Sequence, residues 1–549
     1  MARNLQVMVA LMIGALGATA IAADEPGARP AEDAAPRPVF TPPKIRVPEG
    51  YTVEVAAPPG IVEHPLMACF DERGRLFIAE TAGRNLKRAD LEKELPNFIR
   101  MIEDTDGDGV FDKSTIFADK LTFPQGVLWL DGSVYTCSSG ALWKLTDTDG
   151  DGVADKREKL VGDFGYTGNA ADIHGPFLGP DGRLYICEGR HGHEVRDKEG
   201  KLISKGKAAR IFSCKTDGTD FRSFCGGGFD NPVEVVFTDE GDMLGTVNLM
   251  YHQPRGDCLV HWVYGGVYPR TDFIDQLKDE FYFTGDLLGE VHNYGHVAVS
   301  GLCRYRSEHF GLKGRAKGQG PEAKGAESNP QSPIRNPQSV PLFITQFNTH
   351  KVVHTTLERS GSTYKVAKNE DFLVCESNDF HPTDVLEDAD GSLLVIDTGG
   401  WFRIGCPVSQ VEKPGIKGAI YRVRKTGGKK YEDPWGLKID WLNASSIELA
   451  NRTGDKRTAV RDRAGWTLTK MVSRGSVSTK DLWDVLSTGH ADVNTLIWSI
   501  ARARIDVLHR EVMSYPAWRN AAQLRRCTAC AMMLGGRSSL RSRTRRPPH

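Results

Sequence analysis

A histidine set between an acid and an arginine is the first chemistry this chain offers. In ADIHGPFLGPDGRLYICEGRHGHEV, Asp172 precedes His174 and Arg190 follows it. A near-neutral imidazole can take the proton of a hydroxyl as hydride leaves the carbon. An acid beside it can orient the ring, and a guanidinium can hold the developing negative charge. His191 and His193 alternate along the same stretch and read as surface histidines rather than half a metal site, since two ligands alone do not make one. Two acidic loops offer a second chemistry. DTDGDGVFD carries Asp104, Asp106, Asp108 and Asp112, and DTDGDGVAD repeats the spacing with Asp147, Asp149, Asp151 and Asp155. Oxygen ligands at alternate positions, with Gly permitting the turn, suit a structural calcium ion. Neither loop is an EF-hand: strands flank both, and the place of its last glutamate holds Thr115 in the first loop and Glu158 in the second.

These groups have to be positioned by a repeat. HPLMACFDERGRLFIAE (from His64), FPQGVLWLDGSVYTCS (from Phe123), HGPFLGPDGRLYICE (from His174), NPVEVVFTDEGDMLGTV (from Asn231) and HPTDVLEDADGSLLVID (from His381) share one grammar. Each is a short apolar strand, an Asp/Gly turn and a second alternating strand, which is a hairpin. The turn glycines are Gly74, Gly132, Gly182, Gly241 and Gly391, separated by 58, 50, 59 and 150 residues. The last gap has room for one or two more units, and PLFITQFNTHKVVHTTL (341–357) is a candidate. A repeat of this length predicts propeller blades, and no long amphipathic helix interrupts it. The expectation is an all-β six-bladed β-propeller over 45–425, within a range of five to seven blades. The innermost strand of each blade lines the channel, so the polar residues opening the repeats, His64, Gln125, His174, Asn231 and His381, are expected to converge on one mouth. The plainer alternative is that they cap strand ends by bonding to nearby backbone.

The flanks read differently. Arg3, an apolar stretch from Val7 to Ala18 and the small-x-small site Ala20-Ile21-Ala22 make 1–22 a secretory signal peptide, so the expected location is exported: periplasmic or cell-surface, with membrane association as the alternative. Residues 23–44 are a Pro/Ala-rich linker, 312–340 a flexible insertion poor in apolar residues, and 426–440 a second linker. Helical spacing returns over 441–522 as two or three short HEAT-like helices, and 523–549 is a basic, disordered tail. A formal charge of −1 gives the whole chain no electrostatic reason to hold nucleic acid. Eleven cysteines are scattered without a framework, so their pairing stays open. Cys527 and Cys530 are followed by Ala531 rather than His, which predicts no c-type haem.

HPLMACFDERGRLFIAE, GPDGRLYICEGRHG, NPVEVVFTDEGDMLGTVN, FNTHKVV and FHPTDVLEDADGSLLVIDTGGW together resemble the exported bacterial membrane-bound dehydrogenase domain, which is similar in turn to glucose/sorbosone dehydrogenases. The resemblance covers about 45–425 and implies a six-bladed propeller using pyrroloquinoline quinone with calcium to oxidise a sugar or related alcohol. It implies His174 as the base, with Arg190, Asn231, His64 and His381 lining the pocket. The family's base stands further upstream of its GPDG motif, where this chain has Ala171, so His174 would replace it. Relatives also carry HEAT-like helices and a cytochrome c domain; without CxxCH, an external electron acceptor is implied. Two other readings stay open: a non-catalytic propeller binding carbohydrate or a protein partner, and a calcium-dependent hydrolase or lactonase.

Overall fold

The computed structural model describes residues 40–197, 199–207, 209–250, 254–268, 278, 280–282, 285–312, 339–402, 411–478, 481 and 491–503. Within them, six antiparallel sheets, five of four strands and one of five, follow one another as the blades of a propeller. Blade 1 holds His64–Phe70, Leu76–Thr81, Asn97–Glu103 and Lys113–Leu121. Blade 2 holds Leu128–Leu130, Ser133–Ser138, Ala141–Thr146 and Lys156–Gly162, and blade 3 His174–Leu178, Leu184–Cys187, Arg210–Cys214 and Arg222–Gly226. Blade 4 is built from Asn231–Phe237, Met243–Met250, Gly256–Trp262 and His292–Asn293. Blade 5 has Val299–Arg304, Val340–Gln346, Lys351–Ser360 and Thr363–Cys375, with Ile45–Arg46 added at its edge. Blade 6 takes Pro382–Glu387, Leu393–Asp397 and Ala419–Lys425, and its outer strand is Tyr51–Ala57 from the other end of the chain. That pairing, Tyr51 with Lys425 through Ala57 with Ile420, closes the ring.

The five turn glycines adopt φ of +88°, +79°, +79°, +93° and +84° in chain order, a region costly for any residue with a Cβ. The remaining blade carries no such marker. Segment 341–357 belongs to the second and third strands of blade 5, not to a repeat opening. The inner strand is Val299–Arg304, and the insertion, of which 313–338 lie outside the described residues, separates it from its partner.

Antiparallel order places strand openings and second-to-third connections on one face, and the Asp/Gly hairpins and acidic loops on the other. Each acidic loop fastens a blade to the one before it. The Phe111 amide donates to the Ala56 carbonyl at 2.7 Å, and that of Ala154 to Phe117 at 2.7 Å.

The hairpin face carries helices Ser446–Arg452, Thr458–Ser473 and Val493–Ala503, which share a core of Leu449, Ala464, Leu468, Leu496 and Ile500. Ser445 and Glu448 form a capping box that starts the first of them. Gly74 and Gly241 are sockets for what lies above: a Cβ on Gly74 would stand 2.7 Å from Trp435 Nε1, and one on Gly241 2.5 Å from Trp498 Cζ2. Trp498 Nε1 also donates to the Asp239 carbonyl, and Arg502 to that of Pro180, each at 3.1 Å. A cavity of about 480 Å³ remains between helices and channel, lined by Glu234, Asp384, Arg306 and Trp466 among others. The eight described cysteines are free thiols. The signal peptide, nearly all of the first linker, the helical segment beyond 503 and the basic tail lie outside the described residues. No described helix is long and apolar enough to cross a membrane.

Candidate functional site

The residues opening blades 2, 3 and 4 meet through their backbones. The Gly175 amide donates to the Gln125 carbonyl at 3.1 Å, and a Cβ on Gly126 would fall 2.3 Å from the Gly175 carbonyl oxygen. His174 pairs with Cys187 within its blade and is hydrogen-bonded to the Pro232 backbone of the next. Asn231 stands opposite Asn248. What distinguishes this group is what it lacks. Gln125 Nε2, His174 Nδ1, His191 Nε2, Asn231 Oδ1 and Asn248 Oδ1 are all buried with no hydrogen-bond partner. A stranded polar atom costs roughly 1–3 kcal/mol, so each of these atoms calls for a partner from outside the protein.

His174 keeps one ring nitrogen unengaged by the protein. Its Nδ1 is buried with no hydrogen-bond partner, so that nitrogen is left for a group outside the protein. Burial pushes its pKa down to about 3, so the ring stays neutral throughout the physiological range.

The other two histidines are engaged by the protein. His64 has Nδ1 2.9 Å from the Thr398 carbonyl and Nε2 3.2 Å from that of Pro414. His381 Nδ1 lies 2.7 Å from the Gly399 carbonyl, and its ring packs 4.5 Å from Phe347. They hold the connection that follows the second strand of blade 6, as the strand-capping alternative anticipated. Both ring nitrogens of His64 face backbone carbonyls.

The assignment of Asp172 is corrected. It is fully buried, but its carboxylate accepts from the amides of Thr167, Gly168 and Asn169 at 2.8–3.1 Å and from Ser139 Oγ at 3.0 Å. It clamps a turn and does not orient His174; His191 Nε2 lies 3.7 Å from it. Arg190 stands at the same face, 3.3 Å from Asp230, with its side chain 35% exposed. The expectation that His191 and His193 are surface residues fails for His193, which is buried within the second-to-third connection of blade 3, whereas His191 there is partly exposed. His193 is 6% exposed, between Glu188 and Ser204.

Asn248 was missed by sequence reasoning although a signal existed. The residues Glu80, Ser138, Glu188 and Asp397 stand at one fixed distance beyond their turn glycines, and all four are buried. Asn248 is one place further in blade 4. Three of the four fix the opening of the inner strand: Glu80 accepts from the His64 amide at 3.0 Å, Ser138 from Phe123 at 3.2 Å and Asp397 from His381 at 2.7 Å.

The acidic loops lie on the opposite face and cannot reach this site. In each, three carboxylates (Asp104, Asp106 and Asp108; Asp147, Asp149 and Asp151) present oxygens within 4.8 Å of one another. Asp112 and Asp155 are turned to Thr105 and Thr148 instead, holding both the amide and the hydroxyl.

The fold is a six-bladed propeller whose strand openings bring several unpartnered polar side chains to one face. The chain belongs to the family described as a domain of unknown function (DUF7133), which matches residues 41–404. No curated protein matches it. Among solved structures it is similar to an oxidoreductase described as a glucose dehydrogenase from Thermus thermophilus, at 17% identity and a TM-score of 0.43, covering 68% of this chain and 100% of that one. It is also similar to the PQQ-bound aldose sugar dehydrogenase of Streptomyces coelicolor, at 12% identity, TM-score 0.43, covering 69% and 100%. The calcium structure of a Trichoderma reesei family AA12 enzyme stands at 12% identity, TM-score 0.44, covering 70% and 97%.

Proposed function

We propose that the protein is a sugar or alcohol oxidoreductase, exported from the cytoplasm, that works with pyrroloquinoline quinone at the blade 2–4 side of the mouth. The observation that carries the proposal is the set of stranded buried atoms that includes an unpartnered ring nitrogen of His174. The residues fit the carbonyl edge of a quinone: Gln125 Nε2 offers an unused N–H, and Arg190, paired with Asp230, supplies a guanidinium at the same face. When bound, the quinone supplies a hydride acceptor. His174 then takes the hydroxyl proton of the substrate at Nδ1, while Asn231 and Asn248 hold neighbouring hydroxyls through their amides. An imidazole this weakly basic accepts a proton only as negative charge builds beside it, and Arg190 limits that charge. Calcium is proposed at the two acidic loops, where it would pin blade 1 to blade 6 and blade 2 to blade 1 rather than touch the substrate.

The test is reconstitution with quinone and calcium, followed by dye-linked oxidation across a panel of aldoses and polyols. His174→Ala is expected to lower turnover at least about a hundredfold. Absence of quinone binding and of turnover with every substrate would overturn the proposal. The low basicity of His174 favours a second reading, carbohydrate binding without turnover. In that case sugar affinity would survive in the complete absence of oxidation.

A further inference from the structure

Glu188 departs from the pattern of its repeat position. Its counterparts Glu80, Ser138 and Asp397 each accept the backbone amide that opens their blade. Glu188 instead has Oε1 2.8 Å from His193 Nδ1, and Oε2 is buried with no partner. The other ring nitrogen, His193 Nε2, lies 2.8 Å from Ser204 Oγ. Ser204 sits on the outer strand of a hairpin, Leu202–Gly206 paired with His193–Arg196, where its neighbours Leu202 and Ile203 are 43% and 44% exposed. The chain of three groups therefore starts at an orphaned interior oxygen and ends near solvent. Its inner end is one residue from Cys187, the partner of His174, and two from Arg190.

We propose that Glu188, His193 and Ser204 form a proton outlet from the mouth to solvent. The inference rests on the oxidoreductase reading, since each alcohol oxidised releases a proton at the mouth. A proton arriving on Glu188 Oε2 lets the proton on Oε1 pass to His193 Nδ1. The N–H at Nε2 passes its proton to Ser204 Oγ, and the serine hydroxyl releases its own to water. One proton enters, one leaves, and no electrons move; rotation of the carboxyl, ring and hydroxyl restores the start. Burial favours the neutral forms this sequence begins from, raising Glu188 well above the usual carboxylate range and holding His193 at about 4. The charged neighbours are Arg210 and Glu280, which pair at 3.2 Å and leave little net field on the chain.

Two measurements test this. Infrared spectroscopy of the full chain is expected to show a protonated carboxyl band at neutral pH that disappears in Glu188→Gln and shifts in His193→Gln. In turnover, His193→Ala is expected to slow the wild-type rate about a hundredfold and to be rescued by added imidazole, with a larger solvent deuterium effect. An ionised Glu188, a band indifferent to His193, or a His193→Ala variant with wild-type rate and isotope effect would each overturn the outlet. If the wild type oxidises nothing, the oxidoreductase reading fails and the outlet fails with it, whereas the infrared result still reports whether the three groups are coupled.

Discussion

Replacing Gly241 by alanine is expected to loosen the helices from the propeller, and the size of the effect can be separated into two parts. The residue adopts φ +93°, where a Cβ costs about 1–2 kcal/mol. The new methyl would also stand 2.5 Å from Trp498 Cζ2, well inside the ordinary separation of about 3.5–4.0 Å, so the indole must retreat by about 1 Å. Complete loss of a buried tryptophan costs about 3–5 kcal/mol, so a partial retreat costs about 1–3 kcal/mol. Gly132→Ala is the matched control: it has φ +79°, with nothing within 4 Å of the Cβ. Denaturant unfolding should therefore place Gly132→Ala about 1–2 kcal/mol below wild type and Gly241→Ala a further 1–3 kcal/mol down. Limited proteolysis should cut the Gly241→Ala chain first near the helices. Equal destabilisation by the two substitutions, with unchanged proteolysis, would refute the claim that Gly241 seats Trp498 and its helix.

Three further outcomes are expected. Glu80 is fully buried against Arg100, so Arg100→Met should cost about 3–5 kcal/mol at neutral pH, and less as the pH falls and the stranded carboxyl takes up a proton; unfolding curves at two pH values decide it. Burial holds His381 at about 4, below the ordinary 6.5, so its neutral ring contributes stability above pH 6.5 that is lost as pH falls towards 4. The advantage of wild type over His381→Asn should shrink by about 3 kcal/mol across that window, and a constant difference would contradict the shift. Adding calcium to chelator-treated protein should raise the melting temperature by a few degrees. Asp104→Asn and Asp147→Asn should each remove part of that rise, and no calcium effect in wild type would exclude the ion at both loops.

Five of the six blades were legible because each opens with a hairpin whose turn demands a glycine at positive φ, a local requirement written in local residues. Blade 5 was not, since its inner strand is followed by a long insertion instead of a turn. The strand Tyr51–Ala57 alternates as a strand should, but nothing nearby names a partner some 370 residues away, Lys425 being opposite Tyr51. At the site, repeat position brought His174, Gln125 and Asn231 to the right mouth. It could not tell that His64 spends both nitrogens on carbonyls, or that Asp172 is saturated by three amides and a hydroxyl. Those outcomes depend on how the connections fold back, which periodicity does not encode.

The closure of blade 6 also orders the folding of the molecule in time. During synthesis Tyr51–Ala57 leaves the ribosome before any other strand of its sheet, and its partner Ala419–Lys425 comes only after the five intervening blades. For that interval an alternating strand waits with an unpaired edge, open to pairing with a neighbouring chain. The ring cannot be completed piecemeal, and loss of either end frees both. The expected kinetic signature is a late, concentration-sensitive phase whose misfolded product is an exchange of this strand between two copies.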